Sequence, residues 1–79
     1  MTGLDTILDA VVIEFPQFEN KITALYSQNN GFMEVCEDYV LCQNAIKKLE
    51  LMNDPKKEKE IKDLKQALTE LREELLSKI

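Results

Sequence analysis

The sequence predicts an all-α fold: a long antiparallel helical hairpin, at about 31–53 and 55–78, preceded by one or two short helices at about 3–15 and 16–28. Three observations predict it. Apolar residues recur every three or four positions through both halves of the second part of the chain. A single short turn signal, Asn53-Asp54-Pro55, separates those halves. Two further breaks, Pro16 and Asn29-Asn30-Gly31, divide what comes before.

The first arm of the hairpin carries Phe32, Val35, Tyr39, Cys42, Ile46 and Leu49. Steps of three and four keep these residues on one narrow helical stripe, and no alternation of the kind a strand needs is sustained. The second arm repeats the rule with Ile61, Leu64, Leu68, Leu71 and Leu75. Asn or Asp suits the cap of the new helix, and a proline fits its first turn, where its missing N–H would have no partner anyway. So short a connection lays the arms side by side and antiparallel. With standard helix rise, Ile46 then meets Leu64, Cys42 meets Leu68, Tyr39 meets Leu71 and Val35 meets Leu75.

Ahead of the hairpin, Leu4, Leu8, Val11 and Phe15 share a helical face, with Ile7 and Val12 beside it and Asp5, Asp9 and Glu14 elsewhere. Thr2 is a candidate cap, and the early acids suit the positive end of this helix. Pro16 disfavours helical angles at Phe15, so a break is expected there. The next helix presents Phe18, Ile22, Leu25 and Tyr26, and Asn30 is the expected cap of the long arm.

Seventy-nine residues make one domain, and a two-helix hairpin alone buries little. Phe18, Ile22 and Leu25 are expected to cover the line Met33, Cys36 and Val40 and the Leu76 to Ile79 end, forming a three-helix corner. That leaves Leu41, Ala45 and Met52 on the other flank uncovered. An apolar strip on so small a protein points to association.

Charge narrows the partners. The net charge is −5, and histidine is absent. An acidic chain repels nucleic acid and anionic lipid at long range, so no nucleic-acid partner is expected. Residues 1–31 hold four acids and one base, whereas residues 54–79 hold seven of each. The lysines of 56–65 are interleaved with acids at helical spacing, as in Lys56–Glu60, Glu58–Lys62 and Lys59–Asp63, and Glu74–Lys78 repeats the pattern. They read as a solvated face. The apolar run Ala10 to Ile13 is too short to span a bilayer, and its acidic flanks do not suit a membrane surface.

Cys36 and Cys42 lie six residues apart on one predicted helix, about 9 Å and about 240° from each other, too far to bridge. They read as buried thiols; with no export signal they imply a cytoplasmic location. No histidine completes a zinc site or activates a cysteine, and no glycine-rich phosphate loop exists, the only glycines being Gly3 and Gly31. No cofactor, metal or catalytic residue is expected.

The residues Glu14-Phe15-Pro16-Gln17-Phe18, Lys21-Ile22, Ala24-Leu25, Phe32, Val35, Asp38-Tyr39 and Ile46, with the closing Leu71-Arg72-Glu73-Glu74-Leu75, resemble the YdcH-like family of small uncharacterised bacterial proteins. The chain departs from the family pattern at Gly31, Cys42-Gln43, Leu68 and Thr69. The resemblance implies a short helix followed by a long helical hairpin, and no activity.

The sequence thus predicts a non-enzymatic protein–protein interaction or self-association module. Its candidate face is Leu41, Ala45 and Met52, helped by Ile7 and Val11 of the first helix, and its partner is another protein or a second copy. The alternative is a regulatory module holding a small apolar molecule or lipid beneath the N-terminal helix, motivated by the density of Ile7, Val11, Val12 and Phe15.

Overall fold

The computed structural model describes residues 6–79, and these are all-α. Four α-helices follow in order: α1 (Thr6–Glu14), α2 (Glu19–Gln28), α3 (Asn30–Met52) and α4 (Glu58–Ser77). One-turn 3₁₀ segments, Pro16–Phe18 and Pro55–Lys57, lead into α2 and α4. The expected cap Thr2 and the face residue Leu4 lie outside the described residues.

Each connection has a local cause. Phe15 leaves the helical region at φ −130° and ψ 63°, as the following Pro16 requires. Its N–H still closes α1 on the Val11 carbonyl at 3.0 Å. Between α2 and α3 stands a single extended residue, Asn29, which serves both helices. Its N–H donates to the Leu25 carbonyl at 2.8 Å, and its side-chain Oδ1 accepts from the Phe32 N–H at 3.0 Å. The cap is therefore Asn29 rather than Asn30, and Asn30 and Gly31 already belong to α3. The register explains it: a capping oxygen reaches the N–H three residues ahead, and Phe32, buried in the core, fixes which residue that is. A Cβ on Gly31 would sit 3.2 Å from that capping oxygen, so the glycine leaves it room.

At the hairpin turn, α3 stops at Asn53 in the left-handed region, with φ 52° and ψ 42°. Asparagine tolerates this better than other non-glycine residues. Asp54 then accepts from the Lys56 N–H through Oδ1 at 3.0 Å, and Pro55 opens the 3₁₀ turn.

The two arms run antiparallel near the expected register. The Cys42 thiol donates to the Leu64 carbonyl at 3.3 Å, and Lys65 pairs with Glu50 at 3.3 Å. Val35, Tyr39, Ile46 and Leu75 are buried. The core gathers at the open end of the hairpin, where every helix supplies a fully buried side chain: Val11 from α1, Ile22 from α2, Phe32 and Cys36 from α3, Leu75 from α4. Phe18, Leu25, Leu76 and Ile79 pack against this cluster. The expected three-helix corner is in fact a four-helix corner, because α1 lies on both α2 and α3.

The spaced ion pairs expected along α4 do not form. Among the described residues the salt bridges are Lys57–Glu60 at 3.4 Å and Glu50–Lys65. Lys57 and Glu60 stand three apart, a spacing at which side chains on one helical face also meet. Elsewhere, exposed side chains gain too little from pairing to give up their hydration and freedom.

Candidate interaction surface

Among the described residues, no helix packs on the outward face of α3. α4 covers the side of α3 bearing Val35, Cys42 and Ile46. The N-terminal helices cover the side bearing Phe32, Cys36 and Val40. At about 100° per residue, Leu41 points away from both. It is 62% exposed, and Met52, three turns on, is 59% exposed. Ala45 lies between them, partly covered. The structure therefore brings Leu41, Ala45 and Met52 onto one accessible stripe.

The two residues that sequence reading added from α1 belong elsewhere. Val11 has no exposure and is part of the core, so it is not available to a partner. Ile7 is partly buried against the same core. The reason is the way α1 docks. Glu14, at its last turn, accepts hydrogen bonds from the Tyr39 hydroxyl at 3.2 Å and the Gln43 side-chain amide at 3.1 Å. Phe15 meets the Tyr39 ring at 6.0 Å, tilted by 49°, and the Arg72 guanidinium lies 5.8 Å from the Phe15 ring centre. These contacts rotate Val11 inward and Ile13 outward. Ile13 is 76% exposed, and Leu51, beside Met52, is 85% exposed. Neither was picked out from the sequence. For Ile13 the signal exists, since two residues from Val11 is about 200° around a helix, but it can be used only once the buried side is known.

The ionisable groups of the interior are placed to stay uncharged. Burial, with Glu37 adding a smaller repulsion, pushes the Cys36 thiol up to about 11. Burial, then the charge of Glu14 and the hydrogen bond to it, push Tyr39 up to about 12, against an opposing pull from Arg72. Burial raises Cys42 as well. Both cysteines are free and buried. Thiols held in the protonated form are poor nucleophiles and poor metal ligands. Among the described residues, no group of three or more Cys, Asp or Glu is placed to hold a metal ion, and no helix is long and apolar enough to cross a membrane.

At the hairpin turn the surface has a shallow hollow lined by Leu49, Glu50, Asn53, Asp54, Pro55, Glu58 and Ile61. In comparisons with known proteins, no family model, no curated protein and no solved structure matches this chain.

Proposed function

We propose that this protein is a non-enzymatic helical interaction module that docks through the outward face of α3, and that it works in a reducing compartment such as the cytoplasm. The observation that carries the reading is the exposed stripe of Leu41 and Met52 with Ala45 between them, on a helix whose other sides are occupied. The YdcH-like resemblance is part of the same proposal. It rests on the residues quoted for it and on the plan of short helices before a hairpin, and it adds no activity. The free, protonated thiols support the choice of compartment.

The apolar-ligand alternative has less support: Val11 and Phe15 pack in the protein's own core, and Ile7 and Val12 are partly covered against it.

The test is site-specific photocrosslinking in the cell of origin. A photoreactive side chain at position 41 or 52 is expected to capture a protein, whether another copy or a different chain. The same group at Gln66, on the exposed side of α4, is expected to capture none. Equal yields at all three positions, or none at 41 and 52, would reject the face.

A further inference from the structure

We infer that the partner on this face is a second copy of the chain, with the two α3 helices packed antiparallel about a two-fold axis between Leu41 and Ala45. The inference rests on the reading of α3 as a docking face and adds to it the identity and geometry of the occupant.

The argument is charge order along one stripe. From the N-terminal end, the outward face of α3 carries Glu34, Glu37 and Asp38, then Leu41 and Ala45, then Lys48 and Met52. At about 100° per residue all of these fall within an arc of about 100°. The stripe is acidic in its first third and apolar in the middle, and it then carries a single base, Lys48, before Met52. Among the described residues, none of Glu34, Glu37, Asp38 and Lys48 has an ion-pair partner within the chain. Glu34 and Asp38 are four apart and repel each other, so the isolated helix carries an uncompensated acid cluster.

Laid antiparallel on itself about its middle, this stripe is its own complement. Glu37 and Asp38 of one copy come opposite Lys48 of the other. Leu41 comes opposite the small Ala45, and Met52 covers the stem of Glu34. A two-fold axis makes each contact occur twice. A parallel pair would set acids against acids and Lys48 against Lys48. The whole chain has the same polarity: residues 1–46 hold seven acids and one lysine, while residues 47–65 hold seven lysines and five acids. The antiparallel arrangement puts the basic turn of each copy beside the acidic body of the other, which favours encounter in that orientation. The stripe runs from residue 34 to 52, about 28 Å of helix, so the interface is at the small end of the specific range and the pair is reversible.

The experiment is sedimentation equilibrium of the full chain from about 10 µM to about 1 mM, the range in which a small interface populates a dimer. The wild type is expected to dimerise, more weakly as salt is raised. K48E alone and E37K/D38K alone are each expected to raise the dimer Kd by about tenfold or more, since every reversal acts at two junctions. An equimolar mixture of the two variants is expected to form a heterodimer, because both of its junctions are then attractive, and the combined E37K/D38K/K48E chain is expected to regain its dimer. All these positions are exposed or half-exposed, and circular dichroism checks that each variant is folded. A wild type that stays monomeric throughout overturns the inference, and the crosslinking at 41 then decides the docking face separately. Dimers indifferent to the charge reversals but abolished by L41K/M52K overturn the antiparallel pairing and leave the docking face standing. Dimers indifferent to both sets of changes overturn both.

Discussion

At the open end of the hairpin, four helices converge on Val11, Ile22, Phe32, Cys36 and Leu75, all without exposure. At the turn end, two helices face each other through Leu49, Ile61 and Leu64, each only partly covered, and no residue from Lys47 to Glu74 is buried. The apolar spacing along the two arms is the same in both regions. What differs is the third layer: α1 and α2 fold over one end and leave the other bare. Periodicity therefore says which side of a helix faces inward, while the depth of burial is decided by what lies on top.

The largest way to sharpen that contrast is truncation on each side of it. Phe32→Ala should lower unfolding free energy by about 3–5 kcal/mol, measured by urea denaturation, because it opens a cavity where four helices meet. Ile61→Ala near the turn should cost about 1 kcal/mol, since a half-exposed side chain loses little transfer energy and its site can collapse. Similar losses from the two changes would mean the ends are equally packed.

Alkaline pH should act mainly through the buried Cys36 and Tyr39. The folded-state pKa values of Cys36 and Tyr39 lie above their ordinary values of 9.0 and 10.0, at about 11 and about 12. A raised pKa means the folded state holds its proton more tightly. The associated stability is fully present below pH 9 and is lost as pH climbs through 9 to 12, by about 4 kcal/mol at pH 11 for the two groups together. Denaturation at pH 8, 9, 10 and 11 checks this, and Tyr39→Phe should remove the tyrosine's share of the decline.

Asn29→Ala should cost about 1 kcal/mol by the same denaturation assay, through loss of the bond to the Phe32 N–H. The smallest effect belongs to the turn end. Lys65→Ala breaks the exposed pair with Glu50 and should change stability by no more than about 0.5 kcal/mol, and less at high salt.

Much of the fold was legible in particular residues. Of the inward stripe Phe32, Val35, Tyr39, Cys42, Ile46 and Leu49, the first five are buried and Leu49, near the turn, is half covered; steps of three and four leave one phase for a helix. Pro16 and Pro55 marked real helix starts, since each fixes its own φ and restricts the residue before it. In α1 the expected face, Leu8, Val11 and Phe15, is the one that docks, with Val11 and Phe15 buried and Leu8 packed against the core. What covers that face was not legible: Ala10, Val11, Val12 and Ile13 are apolar almost all the way round, and only tertiary contacts, with Glu14 reaching Tyr39 and Gln43, turn it inward. Likewise, two adjacent asparagines have equal capping preference, and only the burial of Phe32 selects Asn29. On the candidate surface, Leu41 and Met52 were found because they fall outside the main stripe. Leu51 was passed over because it belongs to no apolar row at all.

The economy of the connections bears on how quickly the native state is reached. Phe15 and Asn29 are single-residue joints, and Asn53 with Asp54 is the only gap between the long arms. Most contacts accordingly join segments near in sequence, so little chain entropy is surrendered before they begin to hold. A chain with such local wiring is set to fold within microseconds to milliseconds.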